Sequence, residues 1–122
     1  MTCRGSFWRS FTCAVAGIGH ALRTERNIRI HLAATVGAIS LAALLRITAV
    51  EWSVILLTIG LVWAAELLNT AIEAVVDLVS PGEHELARIA KDTASGAVLM
   101  TALTAVTVGA VVFGRRLWAW WM

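Results

Sequence analysis

Charge is scarce in this chain. Charged residues fill 15% of its 122 positions, hydrophobic residues fill 59%, and mean hydropathy is +0.79. Soluble domains carry roughly a quarter charged residues, so a chain this short would have to expose much of its apolar material to water. Lipid is therefore the expected solvent. Net charge is only +2 and no Lys/Arg run occurs, which excludes nucleic acid as a partner. Cysteine is almost missing. Cys3 and Cys13 have no nearby His cluster, make no metal site, and read as reduced, small apolar fillers on the cytoplasmic side. A continuous apolar h-region is missing as well, since Arg9, His20 and Arg23 interrupt the N-terminal stretch, so no cleaved signal is expected.

The familiar site motifs are also absent. The chain has no G-x-x-x-x-G-K-[ST] loop, no G-x-G-x-x-G turn, no His-rich zinc pattern and no G-x-S-x-G elbow. It shows no internal repeat or low-complexity tract and leaves no room for a second domain. One membrane-embedded domain over residues 1–122 is expected.

Helical periodicity is what the sequence does contain. Residues 6–24 set Phe7, Phe11, Val15, Ile18 and Leu22 on one face and Arg9, Thr12, His20 and Arg23 opposite, the pattern of a helix lying in the membrane interface. Three apolar segments follow, at 30–50, 52–79 and 93–113. The last is uncharged and, at ~1.5 Å per residue, long enough for a hydrocarbon core of ~30 Å. Trp52 opens the second segment as an interfacial anchor, and Ser80-Pro81-Gly82 closes it. The expectation is an all-α membrane protein with an N-terminal amphipathic surface helix and three transmembrane helices.

Loop charge predicts the orientation. Arg4, Arg9, Arg23, Arg26 and Arg29 precede the first span and Arg88 and Lys91 precede the third, whereas the connection after the first span offers only Arg46. The positive-inside rule then puts the N-terminus and the 80–92 loop in the cytoplasm. Arg115 and Arg116 run slightly against it. Small residues at Ala33/Gly37 and Thr101/Ala105/Gly109 form seams suited to helix contact and to a homo-oligomer.

The informative stretch is Ala65-Glu66-Leu67-Leu68-Asn69-Thr70-Ala71-Ile72-Glu73-Ala74-Val75-Val76-Asp77. At ~100° per residue, Glu66, Asn69, Glu73 and Asp77 fall within about 80° of one another, while Leu67, Leu68, Ile72, Val75 and Val76 point elsewhere. Glu66 lies about 21 Å of rise beyond Trp52, near the cytoplasmic interface. Three stacked acids repel one another and are costly to desolvate, so a divalent cation, a basic partner or a proton must offset them. Arg23, Arg26, Arg29, Arg88 and Lys91 are the basic groups on that side. Asp77 also fits a solvated helix face. Ala90-Lys91-Asp92 reads two ways, as a phosphate and metal contact at a helix N-terminus or as capping by Asp92 beside a snorkelling Lys91. Glu25 alone reads as a solvated charge where the surface helix turns into the first span. From the residues, the site is an oxygen-rich, Mg²⁺-type patch with basic neighbours at the inner membrane surface.

These segments resemble the small bacterial integral-membrane lipid kinases, the diacylglycerol kinase / undecaprenol kinase family. The matching parts are Glu25-Arg26-Asn27-Ile28-Arg29-Ile30-His31, then Ala65 to Glu73 with Val75-Val76-Asp77, then Ala90-Lys91-Asp92 with Ser95-Gly96-Ala97-Val98. Their order and spacing cover residues 6 to 113, and the Glu-Leu-Leu-Asn-Thr-Ala-Ile-Glu run is the most specific. The resemblance implies a homotrimer with active sites between protomers, using Mg²⁺ and ATP without a P-loop to phosphorylate a lipid alcohol at the bacterial cytoplasmic membrane. It implies Glu66 as the general base, Glu25 and Glu73 as metal ligands that reach the nucleotide phosphates, and Lys91 and Asp92 as nucleotide contacts. Asn69, Asp77 and Arg29 would support them. Phosphoryl transfer needs positioning and charge neutralisation above all, which such a set provides.

The segments look more like undecaprenol kinases than enteric diacylglycerol kinases, which tend to have an acid where His31 stands. Thr24 before Glu25 and a Lys-poor N-terminal helix depart from the undecaprenol group. Diacylglycerol is thus the alternative lipid. A reading from another class is a small proton- or cation-coupled transporter subunit, since intramembrane acids are typical of those. The position of Glu66 and Glu73 toward one interface counts against it. A third reading is a non-enzymatic assembly factor.

Overall fold

The computed structural model describes Cys3 and residues 5–122; Arg4, one of the arginines in the orientation argument, lies outside them. Four helices follow in order: α1 (Phe7–Thr24), α2 (Arg26–Leu45), α3 (Ala49–Val79) and α4 (Glu85–Trp121). The last three are long and apolar enough to cross a membrane. Few of their side chains are buried within the chain, and Leu57, Leu61, Leu68, Leu99, Leu103 and Val106 all face outward. In water such an apolar exterior would be costly, whereas lipid accepts it.

The α1–α2 corner is one residue wide. Ser6 Oγ accepts the Arg9 N–H to start α1, and Glu25, in extended conformation, ends α1 and precedes α2. Across this corner Arg29 donates from Nε to the Leu22 carbonyl at 3.2 Å and from Nη2 to the Arg23 carbonyl at 2.7 Å. Those carbonyls belong to the last turn of α1, where no intrahelical donor reaches them. Phe7, Phe11 and Val15 remain exposed on α1, as an interfacial helix requires.

The helices depart from the expected segments at both ends of α2. It begins directly after Glu25, and it stops at Leu45 where a span to residue 50 was expected. Arg46 adopts the left-handed conformation (φ 51°, ψ 55°), its N–H bonded to the Ala43 carbonyl and that of Ile47 to Ala42. This is a Schellman ending, built here on Arg46 and not on the usual glycine, with buried Ile47 as its apolar contact. Thr48 and Glu51 then start α3 with a reciprocal capping box.

α4 begins eight residues before the uncharged stretch at 93, because His84 Nδ1 accepts the Leu86 N–H at 3.1 Å and polar residues fill the first turns. Asp92 therefore lies inside α4, and the capping role considered for it is corrected: the cap is His84. The cysteines also correct an expectation. The segment before α1 folds back so that the Cys3 carbonyl accepts from Ser10 Oγ, and Cys3 and Cys13 are joined as a disulfide, with Cα atoms 6.2 Å apart.

α3 makes its most extensive packing with α4. The apolar core, Ala42, Leu45, Ile47, Ile55 and Val112, sits at the α2–α3 hairpin end of the bundle. Glu51 Oε1 also accepts from Arg116 Nη2 at 2.6 Å there, tying the start of α3 to the end of α4. The other end of the bundle, near the α1–α2 corner and the α3–α4 loop, holds the polar residues.

Candidate functional site

The acidic face of α3 turns inward. Glu66 is 1% exposed and Asn69 7%, although both stand on a helix whose other side chains at this level are apolar. Further along the same face Glu73 is half-buried and Asp77 is exposed. The stripe thus runs from a buried carboxylate to a solvated one over three turns. Asn69 Nδ2 donates to Glu73 Oε1 at 3.3 Å, and Thr70 Oγ1 donates to the Glu66 carbonyl.

Two buried acceptors are left over. Neither Glu66 Oε2 nor Asn69 Oδ1 has a hydrogen-bond partner among the described residues. Leaving such groups unpaired in an apolar setting costs on the order of 1–3 kcal/mol each, more for a charged one. A fold selected for stability alone would place leucine there. What compensates is an additional group, whether a proton, a cation or a hydroxyl that donates into the site.

His31 comes closest. Its Nε2 lies 3.6 Å from Glu66 Oε2, from α2 to α3. No role for His31 was legible from the residues alone. The available signal was its spacing of four residues from Thr35, which puts two polar groups on one face of an apolar helix. Thr35 Oγ1 donates to the His31 carbonyl at 2.7 Å and accepts from Trp63 Nε1 at 2.8 Å. Trp63 stands one turn before Glu66, so this chain clamps α2 against α3 beside the buried acid.

The remaining expected residues divide into two groups. Lys91 Nζ reaches Asp77 Oδ1 at 2.5 Å and bridges the start of α4 to the end of α3. Asp92 accepts from Arg88 Nη1 at 3.0 Å on the exposed side of α4. A cavity of about 530 Å³ opens beside Lys91, lined by Asp77, Arg88 and the 80–85 loop. Glu25 is at the α1–α2 corner, half-buried, and Arg29 spends its donors on α1 carbonyls and on no acid. No group of three or more His, Cys, Asp or Glu among the described residues converges on a metal-binding point. Mg²⁺ commonly takes one or two carboxylates and completes its sphere with phosphates and water, so the half-buried Glu73 and Glu25 fit that ion's habits.

A second cavity, of about 310 Å³, lies between α2, α3 and α4. His31 and Thr35 line the end nearest Glu66, Phe113 lines the other, and Ala38, Ile59 and Ala105 are among the walls between. It is an apolar trough with the polar side chains of His31 and Thr35 at one end.

Comparison with known proteins shows the family. Residues 12–113 match the model of the prokaryotic diacylglycerol kinase family. A protein named diacylglycerol kinase from Synechocystis is 52% identical over 101 residues, 82% of this chain and 58% of that one. The match thus spans less than two thirds of that relative's length. An undecaprenol kinase from Bacillus subtilis is 42% identical over 111 residues, covering 91% of this chain and 90% of its own. A diacylglycerol kinase from Escherichia coli is 37% identical over 90 residues, 74% of each chain. With three apolar helices and a family match over most of its length, this chain is a multi-pass bacterial membrane protein that belongs to the prokaryotic diacylglycerol kinase family.

Proposed function

We propose that this chain transfers the γ-phosphoryl group of ATP to a membrane lipid alcohol, with undecaprenol as the substrate. The observation that carries this reading is the buried, unpartnered carboxylate of Glu66 beside His31, which lines one end of an apolar trough. A hydroxyl on a long hydrocarbon chain would meet the acid there while its chain stays in lipid. Glu66 takes the hydroxyl proton as the oxygen attacks phosphorus, and Asn69, with its own free oxygen, orients the reacting groups.

Glu25 and Glu73 would hold Mg²⁺, which neutralises phosphate charge when bound. Lys91 and Asp92 contact the nucleotide beside the 530 Å³ cavity, with Asp77 holding Lys91 in place and Arg29 fixing the corner that carries Glu25. The N-terminus and the α3–α4 loop face the cytoplasm, where ATP is available. The protein acts as a homotrimer with sites between protomers, a reading supported by the small-residue seams and by the few ligands one chain brings together. Undecaprenol is favoured by the Bacillus relative, which matches nearly end to end. Diacylglycerol is the second reading, favoured by the 52% identity of the Synechocystis protein.

The test offers both alcohols separately to purified protein in detergent micelles with labelled Mg-ATP. Faster transfer to undecaprenol is the expected result. Faster transfer to diacylglycerol would reverse the substrate assignment, and transfer to neither by well-folded protein would remove the kinase reading and bring back the cation-coupled transporter.

A further inference from the structure

A base as deeply buried as Glu66 meets a difficulty after each turnover. At 1% exposure within the chain its carboxylate is shielded from direct exchange with bulk water. His31 is the one titratable side chain within ion-pair distance among the described residues, and it is 18% exposed where Glu66 is 1%. Its ring borders the trough as well as the acid, so it connects a closed carboxylate with open space. The bond from Thr35 to its carbonyl, and that from Trp63 to Thr35, hold its backbone at this depth.

The other charged residues of the site stand apart from Glu66, as do Arg23 and Arg26 at the α1–α2 corner. Arg29 binds α1 carbonyls, Glu73 bonds Asn69, Lys91 pairs with Asp77, Asp92 pairs with Arg88, and Glu25 stands at the corner. None of them comes within ion-pair distance of Glu66.

Resting on the kinase reading above, we propose that His31 is the relay residue of the base, receiving at Nε2 the lipid proton that Glu66 Oε2 has taken. The balance is complete. The lipid O–H bond breaks as its oxygen bonds to the γ-phosphorus, and the bond from that phosphorus to the bridging oxygen breaks with its electron pair leaving on ADP. The proton goes to Glu66, then to the unprotonated Nε2 of His31; the Nδ1 proton leaves to water, and exchange with water returns the ring to its Nδ1–H tautomer. Glu66 is again a carboxylate. Histidine suits this task because one ring nitrogen can accept a proton while the other releases one.

The test compares His31→Ala and His31→Gln with wild type and Glu66→Gln in detergent micelles, measuring kcat and KM across pH. Both His31 variants should lose on the order of tenfold or more in kcat with KM for lipid and for Mg-ATP nearly unchanged. Their kcat profiles across pH should differ from the wild-type profile. Added imidazole should restore part of the His31→Ala rate and none of the Glu66→Gln rate. If His31→Ala does not assemble, the pH profile of His31→Gln decides. A wild-type kcat profile in His31→Gln, or a variant that changes only the lipid KM, would overturn the relay while leaving the kinase intact. A wild-type protein that transfers no phosphate would overturn the kinase reading and the relay with it.

Discussion

The indole N–H of Trp63 reaches the hydroxyl of Thr35 across 2.8 Å, joining α3 to α2 one turn from Glu66. Both residues are half-buried in helices that cross the membrane, where such interhelical bonds contribute on the order of 0.5–2 kcal/mol. Trp63→Phe and Thr35→Val should each lower thermal stability in detergent by about that amount and slow turnover several-fold through misplaced His31. Because both remove one bond, the double variant should lose little more than either single one. Full additivity in a double-mutant cycle would mean that the bond does not couple the helices.

Lys91 and Asp77 form an exposed pair, and exposed ion pairs add little to stability. Lys91→Met should therefore leave the melting temperature near wild type while raising KM for ATP about tenfold or more. Asp77→Asn, which only frees Lys91, should raise it less. An equal loss of stability and unchanged ATP dependence in Lys91→Met would make the residue a structural strut.

At the far end of the bundle, Glu51 Oε1 serves two donors, the Thr48 N–H and the Arg116 guanidinium, while the Glu51 N–H completes the capping box by donating to Thr48 Oγ1. Arg116 beside it, with the backbone N–H of Thr48, favours its ionised form. Glu51→Ala should lower the melting temperature and leave KM for both substrates unchanged in the folded fraction. A change in lipid or ATP affinity would show that this end communicates with the site.

Glu73→Gln tests the metal assignment. It keeps an oxygen for Asn69 Nδ2 to bond, so the fold should persist. The Mg²⁺ concentration needed for half-maximal activity should rise by about tenfold or more, as carboxylate loss weakens a hard-cation site. A Mg²⁺ titration matching wild type would move the metal to other residues.

Much of this was legible before any coordinates. The period of the acidic stripe put Glu66, Asn69 and Glu73 on one face, and that face is the inward one because the remaining faces of α3 are apolar and meet lipid. The surface helix announced itself by Phe7, Phe11 and Val15 set against Arg9 and Arg23. Four things were hidden. The end of α2 carries no glycine, so the left-handed turn at Arg46 gave no signal. The first turns of α4 are polar and read as loop, which made Asp92 resemble a cap when His84 holds that place. The His31–Glu66 approach depends on how two helices sit side by side, a distance that periodicity within each helix does not encode. The Cys3–Cys13 bond was missed for a related reason, since it needs the chain ahead of α1 to fold back.

Glu66→Gln measures the central claim most directly, because it keeps the size and polarity of the side chain and removes its ability to take a proton. In protein that assembles and melts like wild type, phosphate transfer from labelled ATP to the lipid should fall on the order of 100-fold or more, with Mg-ATP binding retained. Transfer at the wild-type rate would contradict Glu66 as the base and leave its burial without a catalytic explanation.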